Sequence, residues 1–249
     1  MPSSSLSALL PSAARNPLAA LSEWAAIAAL VAALGPLLLR RDAGGPTRSL
    51  GWAGALASGA MLGVAYPLMN AGLARAGVLA MVGAVVGIAG GYATHVLLGV
   101  GMSETVVHPA RATATSALHS APEGIAMGAA MTIAPRFGFF LVATLAVHNI
   151  WESAVLASCL EQANVSRSRA AIYGVATNAP QVLMAIGAFL LAAAVPLALP
   201  LLLGVSFGAL VYLCLAELLP DSYRTAGRTS IAVVVSVAAG VVALLGGVA

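Results

Sequence analysis

Two short stretches of this chain carry residues that can do chemistry. "HSAPEG" at 119–124 and "HNIWE" at 148–152 each place a histidine four residues before a glutamate, inside long runs of alanine, leucine, valine and glycine. On a helix, positions i and i+4 share one face, a turn apart. His119 with Glu123, and His148 with Glu152, therefore each present an imidazole and a carboxylate along one edge. If the two edges meet, they form a set of two nitrogens and two carboxylates. With neutral imidazoles that set carries a formal charge of −2, which a divalent cation neutralises. This ligand chemistry suits Zn, Fe, Mn, Co, Ni or Cd, whereas Ca and Mg favour all-oxygen shells.

The surroundings make the four residues costly. Of 249 residues, 61% are hydrophobic and 8% are charged, against about a quarter charged in a soluble domain. The chain lacks the polar surface to face water on all sides, so the bilayer is its solvent. Glu123 and Glu152 fall near the middle of two apolar runs, where two unoffset charges would cost about 5–7 kcal/mol. All basic residues are arginine, and none lies at mid-depth in an apolar run. The available partners are the histidines and a cation from outside. A single His–Glu pair reads most simply as a self-satisfied hydrogen bond within one helix. Two pairs at matched depth on consecutive helices favour a metal. Pro122 adds to this, because a proline inside a helix frees the carbonyl four residues back, that of Leu118. A broken helix there is expected to border a cavity.

The elements that must hold these residues are spanning helices of about 20 apolar residues each. The sequence predicts an all-α polytopic membrane protein, an eight-helix bundle with spans near 17–39, 51–73, 77–100, 112–134, 137–160, 170–194, 197–219 and 230–248. Residues 1–16 form a lead-in without signal-peptide character, and 17–249 form one transporter-sized domain. Loops joining spans 1–2, 3–4, 5–6 and 7–8 hold Arg40, Arg41, Arg48, Arg111, Arg167, Arg169, Arg224 and Arg228; the N-terminal tail and the other loops hold Arg15, Arg75 and Arg136. That bias places the first group of loops in the cytoplasm and both termini outside it. Glycine, alanine and serine recur along the helices, which lets backbones approach closely. Cys159 and Cys214 both lie in apolar runs and read as packing residues. A net charge of +3 on scattered arginines does not suit nucleic acid. The expected partners are lipid and a metal ion, with a homodimer left open. Arginine and alanine usage without lysine points to a bacterial inner membrane.

The two stretches resemble the signatures of the ZIP (Zrt/Irt-like) family of divalent-metal transporters: "HSAPEG" is similar to HNxPEG on its fourth span, and "HNIWE" to HxxxE on its fifth. "LASGAMLG" resembles the second-span segment that supplies a methionine, and "YLCLAELLPD" the seventh-span ELLP stretch. The resemblance implies His119, Glu123 and Glu152 as primary ligands, Met61 as a soft additional contact, and His148 lining or completing the site. It also implies that spans 1, 4, 5 and 6 move as a unit against 2, 3, 7 and 8. The chain departs from the two-metal pattern at Ser120, Asn149 and Ala179, so a single metal is expected. Asn178 and Gln181 are candidates to lend amide oxygens. Glu217, Asp221, His95, His108 and Glu104 are candidates for a path toward the cytoplasm.

The function expected is uptake of a divalent transition metal, zinc foremost, by alternating access to a midplane site, with ligand protonation assisting release. An intramembrane metalloenzyme that activates water is disfavoured, because no spare general base accompanies the ligands. A membrane sensor would bind metal without flux.

Overall fold

The computed structural model describes residues 16–38, 48–98 and 109–247, and every regular element among them is helical. Arg15, Arg40, Arg41, Glu104, His108 and the outer ends of several expected spans lie outside the described residues. In chain order the elements are α1 (Pro17–Val31), a 3₁₀ turn and the short α2 (Gly35–Leu38), α3 (Arg48–Leu98), α4 (Pro109–Ile133), α5 (Pro135–Gln162), α6 (Arg167–Ala176), α7 (Ala179–Ala194), α8 (Ala198–Leu213), a π turn (Cys214–Leu218), α9 (Leu219–Ala226) and α10 (Arg228–Gly247).

Local sequence explains the boundaries. Asn16 caps α1, its Oδ1 accepting from the Ala19 amide at 3.1 Å. Ala134 is extended and Pro135 opens α5, where a missing N–H removes nothing a helix needs. Gly227 sits at φ +90°, between α9 and α10, a conformation open to glycine at little cost. The sharp break expected near residues 74–76 is confined to one residue: within α3 only Ala76 leaves helical geometry, at φ −154° and ψ 89°. The expected sixth span is divided at Thr177–Asn178, so that α6 and α7 follow one another. Pro122 does not interrupt α4, which runs as one helix from Pro109 to Ile133; the expectation of a broken helix at that point is corrected.

Six stretches among the described residues are long and apolar enough to cross a membrane, one of them the 47-residue Gly51–Leu97. The helix α4 is not among them. Its threonines, serines, His119 and Glu123 dilute its apolar content, and it is instead covered by protein over Ser116, Ser120, Glu123, Gly124 and Ala126 to Met131. The outer surface is apolar: Val78, Leu97, Leu197 and Leu244 are all more than two-thirds exposed. That is the reverse of a soluble protein, and it describes an integral membrane protein.

Two packing groups share one apolar seam. The helix α4 packs on α7 and α5, with α1 against α5 and α7; α3 packs on α8, α9 and α10. Between them lies a core that joins Met61, Leu68 and Leu210 to Ala126, Ala130 and Leu141. Glycines set the closest approaches. A methyl group at Gly124 or Gly128 of α4 would collide with the α7 backbone at Gln181 or Ala185, and one at Gly204 or Gly208 of α8 would collide with α3 at Ala80 or Ala84. Without a hydrophobic drive between helices in lipid, such contacts supply much of the association.

Candidate metal site

The edges of α4 and α5 meet. His148 Nε2 lies 3.1 Å from Glu123 Oε1 and 4.0 Å from Glu152 Oε2. Glu123, His148 and Glu152 each offer a ligand atom within 4.8 Å of the others. Glu123 is fully buried and His148 nearly so. Neither Glu123 Oε1 nor Glu152 Oε2 has a hydrogen-bond partner. Glu123 Oε1 instead stands in ion-pair contact with His148 Nε2, which is the nearest partner either oxygen has. Two buried carboxylates that share one imidazole are expensive, and a cation between them and the imidazole nitrogen would offset that expense. The donor set, one nitrogen and two carboxylates, fits a first-row divalent ion.

The other oxygen of each carboxylate is occupied. Gln181 Nε2 on α7 donates to Glu123 Oε2 at 2.7 Å, and Ser116 Oγ on α4 donates to Glu152 Oε1 at 2.8 Å. Behind Gln181 stands Asn149 of α5, which donates to Gln181 Oε1 at 2.9 Å and to the Ala28 carbonyl of α1 at 3.2 Å. Four helices are thus tied to one carboxylate through two amides. Gln181 was expected to lend its amide oxygen; instead that oxygen accepts from Asn149 and the amide nitrogen faces Glu123. Asn178 turns its amide nitrogen to the Gly174 carbonyl, 2.8 Å away within its own segment. Ser120 donates to the Thr177 carbonyl at 2.8 Å and so joins α4 to the break between α6 and α7. Ser116 is the contributor that sequence reasoning missed. It lies seven residues before Glu123, on the same helical stripe, and that spacing is the signal that could have found it.

His119, His95, Glu217 and Asp221 are not members of the three-residue group. His119 Nε2 lies 3.2 Å from Glu217 Oε2, and His95 Nδ1 lies 3.2 Å from Glu217 Oε1. Glu217 sits in the π turn, so one carboxylate touches histidines of both α3 and α4. Met61 is buried in the apolar seam beside Ala126 and Cys214. Asp221 is exposed and pairs with Arg224 at 3.6 Å. Both cysteines are free.

The family model described as ZIP Zinc transporter matches residues 112–249, more than half of the chain and all three residues of the cluster. The chain belongs to the ZIP family. A candidate zinc transporter of Arabidopsis thaliana is 35% identical over 117 residues, which cover 46% of this chain and 19% of that protein. The chain thus spans about a fifth of that relative's length. The ZIP match begins on α4 and also takes in Ser116, Gln181 and Glu217, while Met61 and the rest of α3 precede it.

Proposed function

We propose that this chain carries a divalent transition metal, zinc foremost, across a membrane toward the cytoplasm through a single mid-membrane position. Fe, Mn, Co, Ni and Cd share the ligand preferences that would admit them. The observation that carries the reading is the buried group of Glu123, His148 and Glu152, whose ligand atoms Glu123 Oε1, Glu152 Oε2 and His148 Nε2 converge in a member of a transporter family. His119 and Met61 would join them as the ion moves, since each lies on a helix that borders the cluster.

In this reading the chain makes eight passes: α1 with α2, the two arms of α3 on either side of Ala76, α4, α5, α6 with α7, α8 with α9, and α10. The burial of α4 among its neighbours supports its crossing despite its polar content. The arginine bias places both termini outside the cytoplasm, and the composition fits a bacterial inner membrane. One group of helices, α1, α4, α5, α6 and α7, moves against α3 and α8 to α10 along the apolar seam. Met61 stays with the second group, so movement separates it from the ion and weakens binding. A carrier needs partial ligation of this sort, strong enough to load and weak enough to release. Glu217 with His95 would receive the departing ion, with Asp221 beyond. A second metal position is disfavoured because Asn149 and Gln181 present neutral amides already engaged with one another.

Uptake of zinc into proteoliposomes that contain the full chain tests the reading. Glu123→Ala is expected to reduce flux to the level of empty vesicles. Undiminished flux in a well-inserted variant would overturn the proposal.

A further inference from the structure

The two carboxylates of the cluster share a pattern that ligation alone does not require. Each has one oxygen held by a neutral donor from a neighbouring helix and one oxygen left bare. Glu123 is held through Oε2 by Gln181, and Glu152 through Oε1 by Ser116. The two bare oxygens, and not the two held ones, are those that approach His148 Nε2. Gln181 cannot easily turn away, because its own oxygen accepts from Asn149, which is in turn anchored on the α1 backbone. Gln181 and Asn149 are fully buried and Ser116 nearly so.

We propose that Ser116 and Gln181 are positioning residues that restrict Glu123 and Glu152 to one ligating oxygen each, and thereby set the site's preference among divalent ions. The proposal rests on the cluster being a metal position. Two single carboxylate oxygens and one imidazole nitrogen give three protein ligands with a position open, a number that zinc accepts in tetrahedral sites. Ions that favour carboxylate-rich, higher-coordinate shells, such as manganese, gain if a carboxylate can turn and bind through both oxygens. The hydrogen bonds from Ser116 and Gln181 hold each carboxylate against that turn. Partners of this kind commonly change metal affinity about 10–100-fold when removed.

The test uses the full chain purified in detergent, with zinc, manganese and cobalt salts as probes. Ser116→Ala and Gln181→Met remove the donors while roughly keeping volume, and Ser116→Thr keeps the hydroxyl. The zinc Kd is expected to rise by about 10-fold or more in Ser116→Ala and in Gln181→Met. The manganese-to-zinc affinity ratio is expected to shift toward manganese, and the cobalt visible bands to weaken as coordination rises. Ser116→Thr should restore the native ratio and spectrum. Melting temperatures without metal separate these effects from lost folding; if Gln181→Met does not fold, the Ala and Thr pair at position 116 decides. An unchanged affinity ratio in Ser116→Ala, with zinc binding still lost in Glu123→Ala, overturns this proposal alone. Zinc binding that survives Glu123→Ala overturns the site itself.

Discussion

The two packing groups bury very different chemistry. Among the described residues, the group built on α4, α5 and the α6–α7 pair buries Ser116, Ser120, Glu123, His148, Asn149, Ser153, Thr177, Asn178 and Gln181; the group built on α3 and α8 to α10 buries Ser58, Ser206 and Ser222. In the second group, Ser58 and Ser222 bond only to carbonyls of their own helices, Gly54 and Leu218. Its cohesion comes instead from glycines at which α3 and α8 backbones touch, Gly83 and Gly87 on one side and Gly204 and Gly208 on the other. Hydrogen bonds fix direction as well as distance, and dispersion contacts fix distance only. The polar group is therefore built to keep Glu123, His148 and Glu152 in register, and the glycine group to present a smooth, closely packed wall.

Substitutions separate the two roles. The largest effect is expected from Glu123→Gln in the polar group, with zinc uptake falling to background. Glu217→Gln in the glycine group should leave zinc binding at the cluster intact while changing the rate of flux, measured by isotope uptake beside equilibrium binding. Identical losses of binding in both would erase the distinction. Next come Gly124→Val and Gly208→Val, each expected to destabilise by about 1–3 kcal/mol or more through overpacking. Thermal unfolding in detergent measures that cost. In the protein that remains folded, only Gly124→Val should also weaken zinc binding, because its new side chain displaces Gln181.

A smaller effect is expected from Asn149→Ala, which leaves Gln181 Oε1 and the Ala28 carbonyl without their donor. Buried unpaired groups cost about 1–3 kcal/mol each, and the loss should appear in the melting temperature together with a weaker zinc Kd. The smallest changes belong to Ser58→Ala and Ser222→Ala. Each forfeits only a bond to its own helix, so stability should stay within about 0.5 kcal/mol and zinc affinity should not move.

Much of the candidate site's geometry was legible because helical spacing is a local property. His148 and Glu152 could be placed on one edge from five letters of sequence, and Glu123 on the facing edge in the same way. The all-helical fold followed from apolar composition and from runs long enough to span a bilayer. What escaped depends on contacts between distant parts of the chain. Nothing near His119 announces that its imidazole turns to Glu217, and nothing near Gln181 announces that its nitrogen rather than its oxygen faces the carboxylate. Those outcomes are set by helix rotation within the bundle. Pro122 misled for a related reason: a proline inside a spanning helix need not break it when the freed backbone group finds another partner, and α4 runs through it as one helix.

The π turn at Cys214–Leu218, where the Leu219 amide reaches back five residues to the Cys214 carbonyl, makes the placement of Glu217 a matter of chain length. Each helical residue rotates the chain by about 100°, and a wide turn is one residue longer than the α-helical turn it replaces. A chain shorter by one residue here could close into ordinary helix with every side chain named above still present. Its carboxylate would then point away from the gap between His95 and His119. Meeting both histidines is thus written as spacing along the backbone, which a substitution scan would miss and a single-codon deletion would expose.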